Sequence, residues 1–516
     1  MLLAQIVDTS TAVAATAARG KKVALLATAL RELPASERAV GARYLAGEQP
    51  HKTGIGYALV RDVIAQVPAA RAATLLLTEV DARLAAIAPL AGAGSAGARK
   101  AAFGALLAAA TADEQRFLCA LVTGELRQGA EASMVVDAVA RASGLPAVEV
   151  RRAHMLAGDL GAVAAAALGD GADGVARFGL TLFRPVLPML AQTAADVPGA
   201  LATFAGPAAL ELKLDGFRVQ LHKDGDEVRA YSRNLNDVTA MMPEAVAAVR
   251  AFPARRLVLD GEAIALHSDG RPLPFQDTMA RFGRRGTRAP EPGTATLSLA
   301  LFDALLVDDD TLLAQPASAR FGLLGALAPA HAVPRVVTAD ADVAARFYTD
   351  AIARGHEGVM AKALDAPYEA GSRGAAWLKI KKVHRLDLVV LAAEWGSGRR
   401  RGWLSNLWLG ARDPAGGSFV MLGKTFKGMT DAVLAWQTAE LLAREVDRDG
   451  HVVHVRPELV AELAFNDVQR SSRYPGGVAL RFARLVRYRS DKTAAEADTI
   501  DAVRAIAIAD GVLSAG

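Results

Sequence analysis

Glu211-Leu-Lys213-Leu-Asp215-Gly216-Phe-Arg218 sets a lysine between two acids near the middle of the chain. Glutamate, lysine and aspartate alternate with leucines, so on an extended strand the three charged side chains share one face. Gly216 then permits a turn, or close approach of a ligand to the backbone. Taken alone, the pattern fits an ion-pair ladder as well as a lysine held between acids for chemistry.

The surrounding chain extends the strand reading. Asp224-Gly225 separates 218–222 from 228–231, which is a hairpin signal. Segments 257–266, 296–307 and 358–363 also read as strands, with helices expected near 240–251, 317–328 and 341–354. This is an α+β pattern with antiparallel sheets rather than a repeating βα unit. Upstream, residues 1 to about 180 read as helical. Thr111-Ala-Asp-Glu114 has capping-box spacing, Phe117, Leu118, Leu121 and Val122 follow on one face, and Gly124 offers a stop. Gly144-Leu-Pro146 breaks one helix and starts the next. The Ala, Gly and Ser run at 91–98 reads as a loop. Phe183-Arg-Pro-Val-Leu-Pro-Met-Leu190 interrupts the helical pattern with two prolines and marks a domain junction.

After Lys382 the texture changes again. Short strands are expected at 386–393, 405–411, 418–422 and 452–457, with a helix near 430–446, which suits an OB-fold barrel. Residues 394–402 read as an exposed basic loop, and 493–516 as a short helical tail without a readable role. The expected domains are 1–182, 183–383 and 384–516, in keeping with a soft prior of roughly 150 residues per domain for a chain of 516 residues.

Composition narrows the class. Hydrophobic residues make up 52% of the chain, much of it alanine, and no apolar run reaches the roughly 18 residues of a membrane span. The N-terminus lacks a basic region followed by a long apolar core, which argues against a secretory signal. Cys119 is the single cysteine, so an internal disulfide framework and a cysteine-based zinc site are excluded; its apolar helical surroundings suggest a buried small hydrophobe. These features point to a cytoplasmic protein. The net charge is +4 and the sequence pI about 9.1, a mildly basic balance compatible with nucleic acid. Lysine and arginine cluster at 281–285, 379–385, 399–401 and 481–492.

The stretch around Lys213 resembles the adenylation motif of nucleotidyltransferases that form a lysine–nucleotide intermediate. Further segments match in the family's order: Leu259-Asp-Gly-Glu262, Leu301-Phe302-Asp303, Glu357-Gly-Val-Met-Ala-Lys362, Trp377-Leu-Lys379-Ile-Lys381-Lys382, and Arg481 through Arg487-Tyr-Arg-Ser-Asp491-Lys492. One motif is weak support and six in order are strong. The chain is similar to three-domain ATP-dependent DNA ligases of the archaeal and eukaryotic replicative type, which have bacterial members. The resemblance implies a helical DNA-binding domain, an ATP-grasp-like nucleotidyltransferase domain and a C-terminal OB-fold. It implies nicked duplex DNA and ATP as substrates, Mg²⁺ as cofactor, and a place in replication, repair or recombination; a monomer is expected.

It also distributes roles. Lys213 would carry AMP. Glu211 would lie by the adenine edge, and Phe302 would stack on the base. Arg218, Arg233 and Arg373 would approach ribose and phosphates, a task suited to the planar guanidinium fork. On physical grounds, Lys379 and Lys381, on a common strand face, would supply nearby cations that lower the pKa of Lys213 and stabilise charge on the α-phosphate. Glu262 would serve the ribose or the metal, and Glu357 the metal. Strand alternation turns His356 away from the neighbouring Glu357, so it reads as structural. Arg487, Asp491 and Lys492 would orient pyrophosphate in a closed state from which the OB domain then rotates. Gly54-Ile-Gly-Tyr57 and Glu125-Leu-Arg-Gln-Gly129 would hold phosphates beside the nick. Two other readings stand beside this one: an RNA ligase or GTP-using capping enzyme, and a non-catalytic nick-binding clamp.

Overall fold

The computed structural model describes residues 1–280, 296–369, 374–397 and 400–513. The basic cluster at 281–285, residue 399 and Arg373 lie outside them. The chain forms two compact units, one of Met1–Leu190, Arg233–Asn236 and Pro367–Gly374, the other of Ala191–Ser232, Asp237–Ala366 and Ala375–Gly516.

The first unit is helical from Leu3 to Ala176. Its core is built from leucine, valine and phenylalanine stripes, among them Leu26, Leu30, Phe103, Leu118, Val135 and Val163. The expected capping box forms: the Thr111 hydroxyl accepts from the Glu114 amide, and the Glu114 carboxylate accepts from the Thr111 amide at 2.8 Å. Gly124 ends that helix in the left-handed region, φ 69°. Cys119 is buried, as expected. The loop expected at 91–98 is shorter, because a helix begins at Ser95 and runs to Ala108. Alanine is the best helix former, and Phe103, Leu106 and Leu107 anchor the segment in the core, so composition is a poor guide there. Lys22 is buried and donates to the carbonyls of Gln128 (2.9 Å) and Gly129 (3.0 Å), which pins the 125–129 turn. Among the described residues no helix is long and apolar enough to cross a membrane.

Among the described residues the second unit carries four sheets. Its strands are β1 (Gln192–Thr193), β2 (Ala208–Lys213), β3 (Phe217–Asp224), β4 (Glu227–Ser232), β5 (Arg256–Ala265), β6 (Leu297–Val307), β7 (Asp310–Thr311), β8 (Arg335–Thr338), β9 (Gly358–Ala363) and β10 (Trp377–Lys381). The first sheet has the order β1-β10-β9-β2-β8, the second β4-β3-β5-β6-β7. Pairing is antiparallel except between β1 and β10. The β3–β4 hairpin turns at Gly225, φ 57°, as the Asp-Gly pair predicts.

The remaining strands are β11 (His384–Trp395), β12 (Leu404–Arg412), β13 (Phe419–Thr425), β14 (Glu445–Asp449), β15 (Val452–Val455), β16 (Val460–Phe465), β17 (Asp467–Arg470), β18 (Val478–Arg481) and β19 (Arg484–Tyr488). Seven of them form one antiparallel sheet, against whose core the helix Asp431–Leu442 packs through Leu434 and Leu441, while β17 and β18 form a separate hairpin. Leu388, Leu407, Leu409, Leu434, Val453 and Leu463 fill its core. The strands after 457 go beyond the sequence expectation. The tail is a helix, Ile500–Ala509, which packs on this core through Ile500, Val503 and Ala507.

One buried ion pair ties the second sheet to its helix. Arg320 and Asp303 are both fully buried, with Nε–Oδ1 at 2.7 Å and Nη2–Oδ2 at 3.1 Å. Arg320 also donates to the carbonyls of Gln315 and Ala366. Asp303 adjoins Phe302 on β6, so this pair sets the position of the aromatic. Removing one partner leaves an uncompensated buried charge. Arg320→Met should therefore destabilise by about 3–5 kcal/mol. Asp303→Asn combined with Arg320→Met should lose clearly less, as read from denaturant unfolding; equal losses would contradict this role for the pair.

Candidate active site

Register gathers charged residues on one face of the first sheet. Across β2, β9 and β10, Lys213 lies opposite Gly358, and Gly358 opposite Lys381. Two residues along, Glu211 lies opposite Met360 and Met360 opposite Lys379; the next row pairs Lys362 with Trp377. The period of two puts these rows on the same side. Asp215 does not join them, because β2 ends at Lys213; its carboxylate instead accepts from Arg481 at 3.0 Å.

Glu357 precedes β9 and reaches between the lysines. Its Oε2 is 2.5 Å from Lys213 Nζ, and its Oε1 accepts from Lys381 Nζ. Lys213 also donates to the Leu214 carbonyl at 3.3 Å. Gly358 makes the approach possible: its φ is 149°, and a Cβ there would lie 2.0 Å from the Ile380 carbonyl oxygen.

The electrostatics differ from the expectation that neighbouring cations lower the pKa of Lys213. Burial alone would lower it, but Glu357 outweighs burial, with help from Glu262 and Asp215, and the net direction is upward. Lys381 is neutralised by the same carboxylate and does not act as a bare cation. Burial would raise Glu357, yet the two lysines hold it below the usual carboxylate range. Glu262, on β5 opposite Arg218, is pushed up to about 7, chiefly by burial. Gly216 packs on it: a Cβ there would lie 2.8 Å from Glu262 Cγ and 2.5 Å from the Ala263 carbonyl oxygen.

An aromatic and ionic cluster adjoins this row. Phe302 and Trp377 meet edge to face at 5.9 Å. Lys362 Nζ lies 4.3 Å from the Trp377 ring centroid and 4.7 Å from that of Phe302. Lys362 and Arg335 hold the buried carboxylate of Glu211: Lys362 Nζ is 2.5 Å from Oε2, and Arg335 Nε donates to Oε1 at 2.7 Å. Arg218 donates to Asp260 through Nε at 3.1 Å and Nη2 at 2.6 Å, and its guanidinium lies 5.3 Å from the Phe302 centroid. Lys362, Arg335, Asp260 and Trp377 receive no role from sequence. Even spacing from Gly358 is a signal that points to Lys362, whereas nothing local marks Arg335.

The remaining candidates lie elsewhere. Arg233 is exposed and belongs to the first compact unit. His356 is buried and its pKa is lowered to about 4 by burial, which keeps the ring neutral. Arg487 donates to Glu462 at 2.7 Å, Lys492 to Asp387 at 2.6 Å, and Asp491 accepts from Arg489 at 2.6 Å. All three are thus engaged with the barrel's own residues.

Among the described residues no group of three or more His, Cys, Asp or Glu side chains is placed to hold a metal ion. Mg²⁺ takes one or two carboxylates when phosphate oxygens and waters complete its shell, and two carboxylates, Glu357 and Glu262, lie by Lys213.

Known proteins share this organisation. The family model described as ATP dependent DNA ligase domain matches residues 188–381, the ATP dependent DNA ligase C terminal region 400–492, and the DNA ligase N terminus 58–140. A protein of Anaeromyxobacter dehalogenans named "Probable DNA ligase" is 60% identical over 98% of this chain and 99% of its own. One of the same name from Beutenbergia cavernae is 54% identical over 98% and 100%. The solved structure "Pmar-Lig_PreS3" shares the fold, with a TM-score of 0.61 over 94% of this chain and 99% of its own at 18% identity. The fold and these matches define a three-domain enzyme that uses ATP. The chain belongs to the ATP-dependent DNA ligase family.

The raised pKa of Glu262 has a sign that unfolding can read. Between the ordinary glutamate value and about 7, the folded protein keeps a proton that the unfolded chain releases. This contribution to stability is present at low pH and is lost as pH rises through about 7. Glu262→Gln should flatten the decline of the unfolding midpoint over that window. Asp467, pushed up to about 6, leaves a residual slope. An unchanged profile in the variant would refute the assignment.

Proposed function

We propose that this chain seals 5′-phosphate/3′-hydroxyl nicks in duplex DNA through a Lys213–AMP intermediate. The observation that carries the reading is Lys213 and Lys381 converging on Glu357 across β2, β9 and β10. Lys213 Nζ attacks the α-phosphorus of ATP; an N–P bond forms and pyrophosphate leaves. The AMP then passes to the 5′-phosphate, freeing the lysine. Finally the 3′-hydroxyl attacks that phosphorus, and AMP departs as the phosphodiester forms.

Lys213 must lose a proton before it attacks. In the resting arrangement Glu357 favours the ammonium, and Glu357 and Glu262 are the neighbouring acceptors. Lys379 neutralises phosphate charge, and Lys381 joins it only where the nucleotide draws it away from Glu357. Mg²⁺ held by Glu357 and Glu262 would supply further neutralisation of the triphosphate. Phe302 stacks on adenine, Glu211 reads its edge, and Arg218 faces the ribose; Arg233 and Arg373 serve phosphate and nucleotide contacts. Arg487, Asp491 and Lys492 orient pyrophosphate when the barrel closes.

DNA binding is assigned to domain 1–182 and to the basic face of domain 384–516, with nucleotide chemistry in 183–383. The two turns of the first domain support this. Tyr57, 62% exposed at the start of a helix, hydrogen-bonds Glu125 of the second turn. The protein acts as a cytoplasmic monomer in replication, repair or recombination.

Incubation with α-labelled ATP and Mg²⁺ should label one peptide, that containing Lys213. Lys213→Ala should stay folded and lose the adduct; label persisting in it would overturn the assignment. Replacing Arg487, Asp491 and Lys492 with alanine should slow the reaction with ATP while sparing a nick that already bears 5′-AMP, because a group accelerates only the transition state it contacts. Sealing should also weaken steeply between roughly 50 and 200 mM salt as phosphate contacts release counterions.

A further inference from the structure

The tail helix ends at the junction between the nucleotide-binding sheets and the barrel. Strand β10 ends at Lys381 and β11 begins at His384, so only Lys382 and Val383 connect them. Asp510 follows the helix Ile500–Ala509 and reaches both sides of this connection. Its Oδ1 accepts from Lys382 Nζ at 2.7 Å, and its Oδ2 lies 3.2 Å from His384 Nε2. The helix is rooted in the barrel core, so the carboxylate moves with the barrel.

Lys382 is held from both sides. Its amide donates to the Glu357 carbonyl at 3.1 Å, on the sheet bearing Lys213. Its carbonyl accepts from Asn466 of the barrel at 3.2 Å. His384 stacks on Phe465 at 5.4 Å, with the rings 20° apart. Arg470 also pairs with Asp277, and Arg481 with Asp215. In this arrangement Arg487 and Lys492 are engaged by Glu462 and Asp387 of the barrel, while Arg481 sits beside the Lys213 loop.

We infer that Asp510 is a positioning residue that locks the 382–384 connection in the arrangement used to seal DNA, rather than the one used to react with ATP. A turn of the barrel about Lys382–His384 has to break or reshape the grip of Asp510 on these two side chains. The carboxylate biases the choice between the two arrangements without touching ATP, DNA or Lys213. A ligand-free bias of this kind moves the two half-reactions in opposite senses. The inference rests on the proposed Lys213–AMP chemistry.

The test uses the full chain with Asp510→Asn, which keeps size and removes charge. Sealing of a nick already bearing 5′-AMP should slow about fivefold or more. The rate of labelling by ATP should stay equal or rise. Asp510→Glu should restore part of the sealing rate. Lys382→Met should reproduce the split, and the double variant should be no slower in sealing than the worse single one, because the two residues act through one contact. Unfolding midpoints check that each variant is folded. Equal slowing of both steps, slowing of labelling alone, or no change in either overturns the inference. Failure of the wild-type protein to label at Lys213 instead removes the proposed function, so the two outcomes are told apart.

Discussion

The second unit depends on one carboxylate placed between two lysines. Glu357 is 6% exposed, and without both cations its burial would be strongly unfavourable. With them, it ties the ends of β2 and β10 together across the start of β9 and fixes the direction of the Lys213 side chain. The backbone contribution is a single glycine. Gly358 occupies a conformation closed to side chains and lets the Ile380 carbonyl approach where a Cβ would stand. The same contact keeps Lys213 in its unreactive ammonium form, so the resting protein holds its nucleophile in place and protonated together.

A second buried charge network lies beside the first and has a different role. Glu211, Lys362 and Arg335 close on one another, and Asp303 closes on Arg320. Both anions sit on strands that carry key side chains, Glu211 two residues from Lys213 and Asp303 next to Phe302. Buried pairs are poor sources of net stability but strong penalties against misplacement, since each charge left alone is expensive. The aromatics Phe302 and Trp377 are thereby held by ionic anchors rather than by apolar packing alone, with the Lys362 ammonium beside both rings.

Much of this is legible in the sequence, and the limit follows a physical line. Local signals hold: the Thr111–Glu114 box, the Gly225 turn, the alternation that places Glu211 and Lys213 on one face. Ordered motifs also name Lys213, Glu357 and Lys381, which the sheet does bring together. What stays hidden depends on register and on long-range partners. Arg335 meets Glu211 only because β8 pairs with β2, and no local pattern encodes that. The direction of the Lys213 shift depends on whether its nearest charge is Lys381 or Glu357, a matter of ångströms across three strands. The strands after 457 are short and lack clean alternation: β16 is buried at every position, and β17 and β18 have four residues each. The alanine-rich segment from Ser95 reads as a loop because its helix is fixed by tertiary contacts rather than by its own polarity pattern.

The barrel shows why residues of one motif need not lie at the site to which they are assigned. Glu462 sits opposite Arg487 on β16 and β19, so the guanidinium finds its counter-ion across the strand pair. Asp387 takes both Arg489 and Lys492. These cations are therefore satisfied in an arrangement where they serve no substrate. An arginine that had to wait for pyrophosphate without a partner would drive the barrel shut or draw in other anions. Local carboxylates remove that drive and leave the choice of arrangement to contacts at the connection itself. The domain can then answer to nucleotide and to DNA in turn, because neither arrangement leaves these cations without a counter-charge.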